Sequence, residues 1–319
     1  MKPIQTVDRR EFLAGTFGLM PMAVGLAAWG SAEEGRAAEP VVRNPESRLR
    51  LGLAAYSFRD QLVDQQHTPK AGEVVPKPSM TLAEFVDFST AQGCDGVELT
   101  SYYFPKDFDH EFLIDLRRRA FVNGMVVSGS AVGNRFTLPR GPERDKEIAY
   151  VKRWIDHTAT MGASHLRVFA GDAGKLELAE ARRLCVEALE NCCEYAGARG
   201  VFLGLENHGG IVADPEGLLG IVQSVRSRWL GVNLDTGNFR TVDPYADLVK
   251  CAPYAVNVQI KSEIQPKGER SKKDADLDRL IRILKDSGYR GFVTLEYEAE
   301  EDPKVAVPRL LSRIRKLMN

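Results

Sequence analysis

Hydrophobic positions along the chain follow two alternating spacings from Leu51 onward. Short apolar runs are each followed by a longer stretch whose apolar positions recur at the helical period. The predicted strands are LGLAAYSF, DGVEL, MVVSGSAV, HLRVFAG, VFLGLEN, LGVNLDTG, AVNVQIK and GFVTLEYE. The predicted helices lie near residues 81–92, 111–123, 144–161, 177–199, 215–227, 244–251, 274–287 and 303–317. The pattern therefore predicts eight strand–helix pairs.

Eight such pairs indicate an α/β chain folded as a (β/α)8 TIM barrel, because right-handed crossovers allow few other closed arrangements. The alternative is a doubly wound open sheet, which usually has a glycine-rich phosphate turn after its first strand. Here that position holds LGLAAYSFRD. We predict a single barrel domain over residues 39–319. Two long connections, 60–79 and 133–142, are predicted either to wall a substrate site or to lie free on the surface.

The first 38 residues predict an export signal rather than part of the fold. The stretch VDRREFLAG places Arg9 beside Arg10, and a Gly- and Ala-rich apolar segment and then GRAAEP follow. This order is typical of a twin-arginine signal. The alternative is an uncleaved membrane anchor, although its glycines and Pro21 make the segment weakly hydrophobic. We predict export to the periplasm or another extracytoplasmic space, with no stable membrane insertion once the signal is removed.

Charge and cysteine content narrow the choice of partner. Forty-three basic side chains stand against forty-four acidic ones, so no overall field would collect nucleic acid. The five cysteines are odd in number and have no C-x-x-C spacing, which predicts buried free thiols rather than a disulfide framework. The expected partner is a small-molecule sugar or keto-sugar substrate. Formation of a homo-oligomer stays open.

Polar residues end four strands that are otherwise apolar, namely Glu206, Asp235, Gln259 and Glu296. In a barrel, these four side chains converge on one rim. Carboxylates gathered in a partly dry cleft repel one another unless a cation lies between them. Oxygen ligands favour Mn2+ or Mg2+ as that cation. The pattern predicts a divalent metal site, and the alternative is that each acid caps a helix or pairs with a nearby base.

Four motifs resemble the xylose isomerase-like sugar isomerase/epimerase superfamily over roughly residues 49–318: LGLENHGG, LDTGN, V-x-[HQ]-x-K and a Glu that ends the eighth strand. The resemblance implies a metal-dependent barrel whose Glu, Asp, His, Glu ligands fall on Glu206, Asp235, Gln259 and Glu296. Gln259 departs from the pattern, because the epimerases have histidine there. An amide oxygen can still bind a metal with lower expected affinity, and the change suggests a different substrate or a barrel that has lost catalysis.

The same resemblance implies that Glu206 and Glu296 are the catalytic acids. In the family, a metal holds the oxygens of a ketose while two carboxylates move a proton next to the carbonyl through an enediolate. Asp235 and Gln259 would mainly position the metal.

Five further side chains are predicted to bind substrate: His208, Asn238, Lys261, Tyr56 and Arg167. Lys261 shares a strand face with Gln259, so it is expected either to neutralise an anionic group of the ligand or to be solvated. Arg167 and Glu98 lie in apolar contexts where an unpaired charge is costly. An inward Arg167–Glu98 pair that braces the rim explains both residues without a ligand.

Three classes of function remain after this comparison. The first is a sugar isomerase or epimerase, and the second is a lyase or dehydratase that acts on a 3-keto-glycoside or inosose-like substrate by the same proton abstraction. The third is a non-catalytic carbohydrate-binding barrel, which would not need both Glu206 and Glu296. An endonuclease IV-like nuclease needs a histidine-rich three-metal cluster, and none of the five histidines belongs to the predicted quartet.

Overall fold

The computed structural model describes residues 38–66 and 77–319. The predicted export signal lies outside the described residues, as do residues 67–76 of the long connection predicted at 60–79. Within the described ranges, no helix is both long and apolar enough to cross a bilayer.

Eight parallel strands close into a barrel, which confirms the predicted fold. Their order around the barrel is β1-β10-β7-β6-β5-β4-β3-β2, so each strand lies beside the barrel strand that precedes it in the chain and β10 closes against β1. The strands are β1 (Arg50–Ala54), β2 (Gly96–Thr100), β3 (Val126–Ala131), β4 (His165–Val168), β5 (Phe202–Glu206), β6 (Leu230–Asp235), β7 (Ala255–Ile260) and β10 (Phe292–Leu295). A short antiparallel hairpin, β8 (Glu263–Ile264) and β9 (Lys273–Asp274), follows β7.

Each barrel strand is followed by a helix of at least eight residues, as the helical periodicity predicts. The helices are α1 (Arg59–Leu62), α2 (Leu82–Ala91), α3 (His110–Val122), α4 (Pro142–Thr160), α5 (Leu178–Gly197), α6 (Pro215–Ser224), α7 (Pro244–Cys251), α8 (Leu277–Asp286) and α9 (Pro303–Met318). The first predicted strand was too long, because residues 55–58 form a 3-10 helix instead. This turn takes Phe58 into the packing against Phe85 and Phe88 of α2.

Side chains before the helices fix where most of them begin. Thr81 accepts a hydrogen bond from the Glu84 backbone N–H, and the Glu84 carboxylate accepts one from the Thr81 backbone N–H. This reciprocal capping box satisfies two amide groups that have no partner inside the helix. Aspartate side chains cap α3, α6, α7, α8 and α9 in the simpler one-sided way.

The two faces of the barrel strands carry different chemistry. One face is apolar, with residues such as Leu53, Val97 and Leu205 fully buried in the main hydrophobic core. The other face is polar and points into the barrel, where Glu98 of β2 contacts Asn257 and Gln259 of β7, two strands that are not neighbours. The barrel therefore directs a column of polar side chains toward the ends of its strands.

Candidate active site

Seven of the nine predicted site residues line one cavity at the carboxyl ends of the strands. They are Tyr56, Arg167, Glu206, His208, Asn238, Lys261 and Glu296. The sequence analysis did not single out Phe169 and Glu298, which also line it. Glu298 lies two residues beyond Glu296, and this same-face spacing was the signal that could have identified it.

Glu206 ends β5 and is held from two sides. Its Oε1 accepts a hydrogen bond from Asn238 Nδ2 at 2.9 Å, and its Oε2 lies 3.0 Å from Arg167 Nε. The predicted pairing of Arg167 with Glu98 is wrong, because the guanidinium reaches Glu206 on the next strand. Burial raises the pKa of Glu206 to about 7 even though Arg167 opposes the shift. Glu206 can therefore accept or release a proton near neutral pH.

Arg167 is itself fixed by three contacts. Besides the ion pair with Glu206, its Nη1 donates to the carbonyl oxygen of Val132 at 3.0 Å, and its guanidinium carbon lies 4.0 Å from the centre of the Phe169 ring. Both Arg167 and Glu206 are almost completely buried. A buried charge of this kind is tolerated only with its partner in place.

Lys261 follows β7 and reaches three carboxylates. Its Nζ lies 2.8 Å from Glu298 Oε1, 2.9 Å from Glu296 Oε1 and 3.3 Å from Asp235 Oδ2. Burial alone lowers the pKa of the lysine, but the three carboxylates outweigh it and raise this pKa well above its usual value. Lys261 is thus a fixed, charged ammonium rather than a solvated side chain.

Glu296 keeps one oxygen unengaged. Its Oε1 accepts from Lys261, whereas Oε2 has no hydrogen-bond partner among the described residues although it is buried. A carboxylate oxygen in this state has a lone pair that is available to a substrate proton.

Asp235 lies below the cavity and is completely buried. Its Oδ1 accepts from the Gly237 backbone N–H at 2.8 Å, and Asn207 bonds both its backbone N–H and its carbonyl oxygen. Burial raises the pKa of Asp235 to about 7. The residue supports the site from beneath instead of lining the space for substrate.

Gln259 also lies below the cavity, inside the barrel. Its amide oxygen accepts from Asn233 Nδ2 at 2.6 Å, and its amide nitrogen donates to Glu98 Oε1 at 2.7 Å. Asn257 Nδ2 closes the group with bonds to Asn233 Oδ1 and Glu98 Oε2. We call Glu98, Asn233, Asn257 and Gln259 the amide network.

The predicted metal quartet does not fit a divalent ion in this arrangement. The amide oxygen of Gln259 serves the network, and the Lys261 ammonium lies against Asp235 and Glu296. No group of three or more His, Cys, Asp or Glu side chains in the part of the chain that the structure describes is placed to share one metal. The assignment of Glu206, Asp235, Gln259 and Glu296 as metal ligands stays a prediction that this geometry does not favour.

The remaining predicted residues form the wall and the mouth. His208 packs its ring on Phe169 with 4.5 Å between the ring centres, and the side chain is exposed to the opening. Tyr56 also lines the cavity, with its ring centre 6.0 Å from Lys261 Nζ. Aromatic walls around polar groups suit a polyhydroxylated ligand.

The profile of the xylose isomerase-like TIM barrel family matches residues 86–317. The chain belongs to this family. A search of curated proteins found no match.

Several solved structures share the fold of this family member. D-psicose 3-epimerase from Clostridium cellulolyticum H10, solved with D-tagatose, has a TM-score of 0.67 at 14% identity and covers 85% of this chain and 100% of its own. 3-keto-D-glucoside 4-epimerase from E. coli has a TM-score of 0.61 at 16% identity, and the match covers 84% of this chain and 100% of the epimerase. The IOLI protein with a bound zinc atom has a TM-score of 0.65 at 18% identity, and the match covers 84% of this chain and 96% of the IOLI chain.

Proposed function

We propose that the chain is a sugar isomerase or epimerase that removes a proton from the carbon next to a carbonyl. One observation carries the proposal: two buried carboxylates, Glu206 and Glu296, line the same polar cavity, and each is paired with a buried cation. The sugar epimerases among the structural relatives support the same class of substrate.

The proposed reaction begins at Glu296. Its free Oε2 takes the proton from the carbon next to the carbonyl, and the electron pair of the broken C–H bond forms the enediolate while negative charge develops on the carbonyl oxygen. Lys261 and Arg167 are the cations in the cavity that can stabilise this charge. Glu206, with its raised pKa, then returns a proton to the opposite face of that carbon or to the neighbouring carbon.

A divalent metal, when bound, would polarise the substrate oxygens as a Lewis acid. The family resemblance implies such a metal, and the related IOLI structure has a bound zinc atom. The side chains of this chain do not fit one as they stand, so the proton transfers above rest on its own residues.

A lyase acting on a 3-keto-glycoside is a second candidate, because the cavity continues into a second space. This narrow space includes Asn238, Lys261 and Glu298 in its lining and extends to Arg240 and Lys272 beneath the β8–β9 hairpin. The polar end of a leaving group would fit there beside the reacting carbon. The same enediolate would then expel the leaving group instead of taking back a proton.

The experiment is proton NMR in D2O with a panel of ketoses and 3-keto-glycosides. We expect solvent deuterium at the carbon next to the carbonyl, and the product distinguishes epimerisation from elimination. Glu206→Gln should abolish product formation and Glu296→Gln should abolish exchange, each in a folded barrel. Glu300→Gln, an exposed carboxylate on the loop after β10, is the matched control and should keep it. Sugar binding without exchange for any substrate would support a non-catalytic carbohydrate-binding barrel instead.

We also propose export through the twin-arginine pathway, on the basis of VDRREFLAG and the small-residue region that follows. The double substitution of Arg9 and Arg10 by lysine should keep the chain in the cytoplasmic fraction of a host with this pathway. Unchanged export of that variant would contradict the proposal.

A further inference from the structure

The residues of the LDTGN motif hold the Lys261 side chain in place. Asp235 Oδ2 faces the ammonium at 3.3 Å, and Thr236 Oγ1 accepts a hydrogen bond from the Lys261 backbone N–H at 2.9 Å. A Cβ on Gly237 would lie 2.8 Å from Lys261 Cγ, so the glycine leaves the space through which the lysine stem passes. Three consecutive residues of one motif therefore direct this ammonium into the carboxylate cluster.

The amide network fixes the orientation of Gln259. Its oxygen faces the Asn233 NH2 group, and its own NH2 group faces the Glu98 carboxylate. If the amide were turned over, two NH2 groups would face each other and an amide oxygen would face a carboxylate oxygen. Each of these contacts is repulsive inside a barrel that excludes water. The amide oxygen of Gln259 is therefore held against Asn233.

The ammonium also occupies the space that a metal would need. A hard divalent ion lies about 2.0–2.6 Å from its carboxylate oxygens. An ion bound to both Asp235 Oδ2 and Glu296 Oε1 would lie within a few ångströms of Lys261 Nζ, which is itself 3.3 and 2.9 Å from those oxygens. Two cations at that separation repel strongly in a buried site.

We propose that the Lys261 ammonium is the resident cation of this site, in the place that a divalent metal takes in metal-dependent barrels, and that the chemistry proceeds without such a metal. The inference rests on the proposed function only for its catalytic half. The half that concerns the resident cation can be tested without any substrate.

The lysine suits the proton transfer because the negative charge never leaves its surroundings. Before the reaction the charge is on Glu296, 2.9 Å from Nζ. When Glu296 Oε2 takes the proton from carbon, the carboxyl group becomes neutral and the charge moves to the substrate oxygen. An ammonium has three N–H donors, so the one released by Glu296 can turn to that oxygen. The cation is thus balanced before and after the step.

The test measures Mn2+ binding by EPR on the purified, chelator-treated chain, with elemental analysis of the untreated protein. We expect wild type to contain less than about 0.1 divalent metal per chain and to show no saturable Mn2+ site, because a structural or catalytic site would bind stoichiometrically. Solvent deuterium exchange into substrate should persist in excess EDTA. Stoichiometric Mn2+ binding by wild type, or loss of exchange in EDTA, would overturn the proposal.

Lys261→Met supplies the second measurement. Removal of the ammonium leaves Asp235, Glu296 and Glu298 without their common cation, so Mn2+ should bind at least about tenfold tighter than to wild type. Lys250→Met is the matched control, because this exposed lysine pairs with Asp247 of α7 and not with a member of the cluster. Equal Mn2+ affinity of the Lys261 variant and wild type would refute the assignment. If no sugar shows exchange but Mn2+ binding behaves as expected, the proposed function fails and the resident-cation assignment stands.

Discussion

Replacement of Arg167 by methionine tests how the charge on Glu206 is sustained. The substitution keeps a long apolar stem but removes the guanidinium 3.0 Å from Glu206 Oε2. It also removes the donor to the Val132 carbonyl and the cation over the Phe169 ring. Those two contacts together contribute about 1–2 kcal/mol, and this cost should be present at every pH.

The ion pair adds a cost that depends on pH. Burial already raises the folded-state pKa of Glu206 from 4.5 to about 7, and loss of Arg167 should raise it further. A raised pKa contributes stability that is present below the unfolded value and is lost as the pH rises through the folded value. Near pH 6, Glu206 is largely protonated in both proteins, so the pair contributes little. Above pH 7 the variant should lose about 1.4 kcal/mol more per unit than wild type, or about 2–3 kcal/mol by pH 9.

The assay is urea unfolding of wild type, Arg167→Met, Glu206→Gln and the double variant near pH 6 and near pH 9. The total cost of Arg167→Met should reach about 3–5 kcal/mol at the higher pH, the range for a buried pair that loses one partner. Arg183→Met is the matched control, because this exposed arginine pairs with Glu180 and Glu187 at the surface and its removal should change stability little at either pH. A cost that is independent of pH, or that is undiminished in the Glu206→Gln background, would refute the reasoning.

Three further predictions concern the barrel itself. Burial raises the pKa of Glu98 from 4.5 to about 7, so the stability that Glu98 contributes, about 3 kcal/mol, should disappear between pH 4.5 and 7. The unfolding free energy of Glu98→Gln should therefore fall less steeply with pH over this range than that of wild type. Equal slopes in the two proteins would contradict this. Gly204→Ala should cost about 1–3 kcal/mol in urea unfolding, because the new Cβ would overlap His165 Nε2. Gly220→Ala, whose Cβ meets nothing within 4 Å, should not destabilise. Thr81→Ala should lower the melting temperature by the equivalent of about 1 kcal/mol through loss of its capping box, and an unchanged value would count against that role.

The architecture could be predicted from the sequence because short apolar strand segments alternate regularly with segments whose apolar residues have helical spacing. Strand positions such as those in VFLGLEN carry buried side chains on both faces, and the helices between them begin at Asp or Thr caps. The β8–β9 hairpin was missed, because its two-residue strands are shorter than any periodicity can reveal. The hairpin matters for the site, since it lies over the second space of the cavity.

The depth of each polar side chain in the barrel could not be predicted from the sequence. Gln259 and Lys261 lie two residues apart on one face, which corresponds to about 6.6 Å along a strand. That step separates a residue of the amide network from one that lines the cavity. The stagger between neighbouring strands sets these depths, and it depends on hydrogen-bond register rather than on composition. For the same reason the sequence placed Arg167 beside Glu98, whereas the register brings it to Glu206.

The amide network also constrains how this chain can diverge. Neutral histidine has one ring donor and one ring acceptor on a short, rigid side chain, so at position 259 it could not reproduce both contacts of the glutamine. Substitution of Gln259 by histidine would therefore leave Glu98 or Asn233 with a buried group unsatisfied, at about 1–3 kcal/mol. Compensating changes at those two positions would have to arrive together with it. Homologous chains should therefore carry glutamine at 259 together with the acid and amides that surround it here, or histidine together with a different set.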